Sequence, residues 1–378
     1  MLLPARFRRP AIAASAIALS LVPLAACGST ESTKPTAAAA SHVAYPADSP
    51  CPPLAKTAKI TLPLISPSSS ASWLYYGLAK GIFKQCGIDV TVTAAQTSAQ
   101  VSSYLSGDLP IAATGGGLPA VVAATKRPIS VLGMLGKSAV FDLMGHSEVH
   151  GPDDLRGKVI GVNSNADSTY KVALFYLKKI GVRPNQVTFK FLDNVANVGT
   201  ALRSGSIDFG VSTTPLSQIL EGEGLVHVVD FSKEDIALPQ QPIVAQPDWV
   251  ADHPNVAANL IRAIVASIYQ IKQNPEVTAP MLVKELKLDD STAAGKKVVD
   301  GAVAAAYASY QSPEKILTVD KETVDLFLST APDDIAARLE GYDMTKLLPA
   351  VDIGAELRKD GFLDHLTELY GPLSDDAS

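Results

Sequence analysis

One order of secondary structure is written twice in this chain, and that repetition constrains its fold more than any single motif. In the first passage, Lys59–Ile65 (KITLPLI) reads as a strand ending in SPSSSAS, followed by helical spacing over Trp73–Phe83 and a strand at Asp89–Thr93. A short helix around Ala99–Leu105 stops at Ser106-Gly107. Strand Leu109–Thr114, the turn Gly115–Gly117, helix Leu118–Thr125 and strand Ile129–Leu135 follow. The second passage runs from strand Lys158–Val162 through NSNADST to helix Tyr170–Ile180 and strand Val187–Leu192. A helix around Val195–Arg203 stops at Ser204-Gly205, then come strand Ile207–Val211, helix Pro215–Glu221 and strand Val226–Asp230. YLSGDLPIAAT and LRSGSIDFGVS align: each has Ser-Gly, a strand, and a hydroxyl residue seven places after the Gly, Thr114 in one and Ser212 in the other. Alternation at this spacing builds parallel α/β sheets flanked by helices. Two such units in tandem predict two lobes. From Pro254 onward the pattern is mostly helical.

In parallel α/β units small molecules bind at the carboxyl ends of strands, where helix N-termini point their free N–H groups. Those loops are SPSSSAS (66–72), TGGG (114–117), NSNADST (163–169) and STTP (212–215), and none contains Lys or Arg. Ser, Thr and Asn cap helices, which by itself accounts for any one loop. Four polar loops at corresponding positions predict a cleft.

The first 26 residues have a different character. Arg6, Arg8 and Arg9 precede the apolar stretch Ala11–Ala26, which at sixteen residues is shorter than the ~20 a spanning helix needs. A basic start, a short apolar middle and small residues make an export signal. Leu24-Ala25-Ala26-Cys27 resembles the bacterial lipobox, which implies lipidation of Cys27 as the first mature residue; an ordinary secretory signal is the plainer reading. The polar run after Cys27 reads as a tether. Removing residues 1–26 takes away three Arg and no acid, so 29 basic residues face 38 acidic ones, a net charge of −9. No basic stripe offers itself to nucleic acid. With Cys27 lipidated, Cys51 and Cys86 form an even pair outside the cytoplasm, where a disulfide persists. They are expected to bridge; two buried free thiols are the other reading.

AKGIFKQCGIDVTV, LSGDLPIAATGGG, DLRGKVIGVNSNADS, ALRSGSIDFGVSTTP and DHPNVAANLIRAIVASIYQIKQNP resemble, in order, the solute-binding proteins of ABC importers for nitrate, taurine, alkyl sulfonates and thiamine-type precursors. The resemblance covers residues ~57–285. It implies a two-lobed α/β type II periplasmic-binding fold, each lobe a parallel or mixed sheet flanked by helices. Residues 57–147 plus 246–378 would form lobe one and 148–245 lobe two, with crossings near Leu143–Gly151 and Pro242–Asp248. Residues 1–26 would be the lipoprotein signal and 27–56 the tether and N-terminal segment. The ligand contacts implied are Ser66, Ser68, Ser69, Ser70 and Ser72; Thr114, Gly115 and Gly116; Asn163, Asp167, Ser168 and Thr169; and Ser212, Thr213 and Thr214. The expected protein is a monomer without cofactor or metal, lipid-anchored to the outer face of the bacterial cytoplasmic membrane. It would close on a small solute and present the closed form to permease and ATPase subunits.

The ligand's charge stays open at this level. Helix N-termini favour an anion, with Ser168 and Thr169 as the best pair. Asp167 beside them would repel one unless it only caps its helix, and would suit an amine or protonated heterocycle. Lys137 could supply a positive charge, although such a Lys is commonly solvated. Trp73, Phe141 and Tyr170 adjoin cleft loops and could stack on a planar ligand, with Trp73 counted among the ligand residues. Gly115–Ala120 formally fits the dinucleotide fingerprint, a weak signal with no ribose-binding acid in place. His146, Glu148 and His150 lack helical spacing for a metal and read as surface loop. The enzyme reading is a relative that makes a pyrimidine precursor, which would need a catalytic His and a Cys-rich motif absent here. A lipoprotein that senses or presents a solute without an importer is the remaining alternative.

Overall fold

A computed structural model describes residues 43–374, apart from Ala166, Asp235, Pro332 and Ala350. The expected signal peptide, the expected lipidation site Cys27 and most of the expected tether lie outside the described residues.

Ten strands are present among the described residues: β1 (Ala58–Leu64), β2 (Ile88–Ala94), β3 (Ile111–Ala113), β4 (Ser130–Ser138), β5 (Asp142–Gly145), β6 (Val159–Val162), β7 (Thr188–Phe191), β8 (Phe209–Ser212), β9 (Val226–Asp230) and β10 (Ala237–Ala245). β1 and β2 pair in parallel. β10 lies antiparallel between β3 and β4. The remaining five form a mixed sheet in the order β7-β6-β8-β5-β9, with β6 parallel to β7 and β8, and β5 antiparallel to β8 and β9. The chain therefore passes between sheets at 139–141 and again at 231–236, earlier than the crossings expected at Leu143–Gly151 and Pro242–Asp248. Leu143–Gly145 belong to β5 and Pro242–Ala245 to β10, because each is hydrogen-bonded into a ladder that only the folded chain brings together.

Helices α1 (Ser72–Ala79) and α2 (Ile82–Gln85) replace the single helix expected over Trp73–Phe83, because Gly81 between them takes a left-handed φ of 71°. α3 (Thr97–Ser106) and α4 (Leu118–Ala123) follow β2 and β3; α5 (Ser168–Lys179), α6 (Val195–Arg203) and α7 (Leu216–Gly222) follow β6, β7 and β8. Capping sets the start of α5 and α6: Asp167 accepts from Thr169 N–H, and Asn194 from Asn197 N–H. α6 then buries Val195, Val198, Ala201 and Leu202 on one face, the spacing of an amphipathic helix.

After β10 come α8 (Pro247–Asp252) and α9 (Pro254–Gln273), then α10 (Ala279–Leu286), α11 (Ala293–Ala308) and five shorter helices among the described residues, ending at Tyr370. α9 is buried along most of its length and shares one core with Ile60, Leu62, Trp73, Phe83 and Phe362. Its Arg262 is buried against Asp360 at 2.7 Å and donates to Tyr45 Oη at 3.2 Å. Cys51 and Cys86 are joined by a disulfide that ties the segment before β1 to the end of α2. No helix among the described residues is long and apolar enough to cross a membrane.

Candidate functional site

A cavity of about 130 Å³ opens where the ends of β1, β3, β6 and β8 meet β10. That is roughly ten times the volume one buried water requires. All four polar loops reach it. Ser66, Ser68 and Ser70 come from the first, Thr114, Gly115 and Gly116 from the second, Asn163, Asp167 and Ser168 from the third, and Thr213 from the fourth. The lining contains no Lys, Arg or His among the described residues.

Six expected residues stand behind this wall; five are engaged in holding it, and the sixth, Ser212, has a buried Oγ with no hydrogen-bond partner among the described residues. Ser69 donates to Thr214 O at 3.1 Å, which joins the loop after β1 to the loop after β8. Ser72 shares a 2.9 Å hydrogen bond with the Tyr310 hydroxyl. Trp73 is 3 % exposed; its ring packs edge-on against Phe83 and its Nε1–H donates to Gln241 Oε1 at 2.8 Å, so it is spent on core and loop anchoring. Thr169 Oγ1 accepts from Asn163 N–H and donates to Asp167 Oδ1. Ser212 is fully buried at the end of β8. The Thr214 hydroxyl faces Ser217 and Asp142, away from the lining. Of the other aromatics, Phe141 lines the cavity, whereas Tyr170 packs its ring on Phe189 and Phe191.

The loop after β1 is fixed from the C-terminal region. Tyr310 Oη donates to Ser70 O at 2.7 Å and accepts from Trp73 N–H at 3.1 Å. It is fully buried, and burial holds its phenol protonated well above the ordinary range. Gly116 packs straight onto β10: a Cβ there would sit 1.8 Å from Pro239 O. Thr114 donates its hydroxyl to Gln100 Oε1, and Gln100 Nε2 donates to Ala95 O at 2.8 Å.

Asp167 caps α5 and lines the cavity at the same time. Its Oδ1 accepts from Thr169 N at 2.9 Å, Thr169 Oγ1 at 2.8 Å and Asn163 Nδ2 at 3.1 Å. Burial nevertheless raises its pKa, against the pull of those bonds and of Lys171 one turn along the helix. Lys171 is 9 % exposed; desolvation lowers its pKa to about 8, opposed by Asp167.

Sequence reasoning missed the wall that β10 supplies. Gln240 and Gln241 both line the cavity, within the run Leu-Pro-Gln-Gln-Pro. Two prolines argue against a central strand, but a shift in register between Ala237 and Gln240 takes up Pro239, and Pro242 uses its carbonyl to accept Thr114 N–H. Gln241 has a left-handed φ of 46° and is held at both ends, by Trp73 and by its own Nε2 donating to Ser70 O at 2.7 Å. A second unanticipated cluster lies behind the fourth loop. Asp142 Oδ1 sits 2.9 Å from His227 Nε2, and Asp142 Oδ2 accepts from Ser217 Oγ at 2.6 Å.

The NMT1/THI5-like family profile matches residues 69–278, a span that holds three of the four loops and β10. The chain belongs to that family. No curated protein matches its sequence. Among solved structures, a protein of Bordetella bronchiseptica matches with a TM-score of 0.65 and 23 % identity, over 80 % of this chain and 98 % of the other. The alkanesulfonate-binding protein SsuA of Xanthomonas axonopodis pv. citri, bound to MOPS, matches with a TM-score of 0.61 and 15 % identity, over 80 % and 99 %. The desulfurization enzyme DszB also matches, with a TM-score of 0.56 and 15 % identity, over 80 % and 99 %. The fold of this NMT1/THI5-like protein is thus the periplasmic-binding fold, which serves binding proteins and an enzyme alike.

Proposed function

We propose that this protein is the extracytoplasmic solute-binding component of an ABC importer, holding a small polar organic solute in the cavity between two lobes and tethered to the membrane by lipid on Cys27. The carrying observation is convergence: loops from four strand ends and strand β10 meet in one cavity, and behind its wall Ser69 bonds Thr214, joining the loop after β1 to the loop after β8. On this reading β1–β4, β10 and the C-terminal helices form one lobe and β5–β9 the other, so a ligand gains its full set of contacts only when both are brought together. The lining supplies hydroxyls, amides and one carboxylate engaged in capping, a set suited to holding a solute. Proteins of similar structure support this reading: one is an alkanesulfonate-binding protein and another is the ligand-binding component of a Staphylococcus aureus ABC-type import system.

The test is thermal unfolding of the purified protein against a panel of sulfonates, taurine, nitrate, amines and nitrogen heterocycles. A ligand at ~1 mM with a Kd near ~1 µM adds about 4 kcal/mol, which for a unit of this size raises Tm by about 6 °C. If a folded protein shows no shift with any compound, the reading is wrong. The anchor is tested separately: Cys27→Ala is expected to move the protein from the membrane fraction to the medium or periplasm.

A further inference from the structure

We propose, resting on the solute-binding reading above, that Gln240 and Asn163 read the ligand's hydrogen-bonding pattern. Gln240 would act as donor and Asn163 as acceptor, selecting an uncharged or cationic solute that carries an N–H group beside an acceptor over an oxyanion. Gln240 is 9 % exposed, and its Nε2 is buried with no hydrogen-bond partner among the described residues. Its neighbour makes the contrast plain: both ends of the Gln241 amide are engaged, by Trp73 and Ser70. Asn163 is 7 % exposed. Donation of its Nδ2 to Asp167 Oδ1 fixes which way the amide points, and leaves Oδ1 buried without a partner among the described residues.

Buried polar atoms in folded proteins are nearly always paired, and an unpaired one carries its full desolvation penalty. Here an orphaned donor and an orphaned acceptor belong to two residues of one cavity. A solute with both functions pairs both atoms. A sulfonate or nitrate brings acceptors only: it can pair Gln240, but it leaves Asn163 Oδ1 unmatched and meets the Asp167 carboxylate. Among the described residues no Lys, Arg or His stands in the lining to pair the oxyanion, and Lys171, which acts on Asp167, lies behind it on α5. A cationic N–H group gains from Asp167 where an oxyanion loses. The backbone of Gln240 is held in β10, paired with Gly136.

The experiment is calorimetric titration of the purified protein with two probe sets. Cytosine, creatinine and nicotinamide carry a donor beside an acceptor; methanesulfonate, ethanesulfonate and nitrate carry acceptors only. The expected result is that a compound of the first set binds at least tenfold tighter than any of the second. Gln240→Met should weaken that compound by about 5- to 150-fold while the protein stays folded. Gln240→Glu keeps the shape and replaces the donor by a carboxylate, so it should also fail to bind an uncharged probe; it carries the test if the Met variant does not fold. An oxyanion that binds as tightly as the best donor–acceptor probe overturns this inference and leaves the solute-binding reading standing. An unchanged Kd in both Gln240 variants does the same. Absence of binding by either set overturns both.

Discussion

Removing the Cys51–Cys86 bridge tests how the N-terminal segment is held to the fold. The two residues are 35 apart in sequence and both are buried, at 1 % and 0 % exposure. The disulfide acts mainly by restricting the unfolded chain, and a loop of this length is worth about 4 kcal/mol in the chain-entropy account. The described span, residues 43–374, is about 330 residues long, and at ~2.1 cal/mol/K per residue its unfolding entropy is about 0.7 kcal/mol/K. The Cys51→Ala/Cys86→Ala variant is therefore expected to unfold about 6 °C below wild type. The native arrangement should survive, because other bonds hold the same segment. Asn259 Nδ2 donates to Pro52 O at 2.8 Å and Cys86 O at 3.0 Å, and a His365 ring nitrogen lies 2.8 Å from Ser49 O. Differential scanning calorimetry of both proteins, with far-ultraviolet circular dichroism to confirm folding, provides the measurement. A midpoint within 1 °C of wild type would refute the entropic reasoning, and so would a variant that no longer folds, since that would place the bridge's effect in the native state.

Gly116→Ala places a methyl against Pro239 O and forces the second loop off β10; a loss of ~1–3 kcal/mol or more is expected. Gly151→Ala, with nothing within 4 Å of its Cβ, should stay within about 0.5 kcal/mol. Urea unfolding of the pair checks this, and equal effects would contradict the close-approach argument. His227 gives a pH signature. Its hydrogen bond to Asp142 raises its pKa, burial opposes this, and Asp142, Glu221 and Asp230 add to the rise by their charge. Its stabilising contribution is thus complete below the unfolded value near ~6.5 and fades as pH rises through the folded value. The stability difference between wild type and His227→Gln should shrink steadily from pH 5.5 to 8.5. A difference that grows with pH would reverse the assignment.

Much of the scaffold was legible because its signals are local. α6 and β9 begin and end where the pattern placed them, since Asn194 caps one and the other is a short run rich in β-branched valine. The two Ser-Gly stops also appear as written: Gly107 and Gly205 take left-handed φ values of 92° and 66° at the ends of α3 and α6. β5 and β10 were not legible. The Asp-Leu-Met-Gly of β5 is too short to announce a strand, and the prolines of β10 argue against one.

The sequence by itself determined the alternation of strands and helices and the four polar loops at their junctions, because periodicity and turn chemistry act over a few residues. Whether Asp167 caps its helix or faces the ligand it left open, and the structure shows it doing the first while lining the cavity. Only the tertiary structure decided which of those side chains share a cavity. It turned Trp73 inward to hold Gln241, set Ser72 on Tyr310 far along the chain, and brought Gln240 into the same cavity as Asn163 by laying β10 between β3 and β4. Those contacts join residues tens to hundreds of positions apart, and their geometry is set by sheet register and core packing, which no short window of sequence contains.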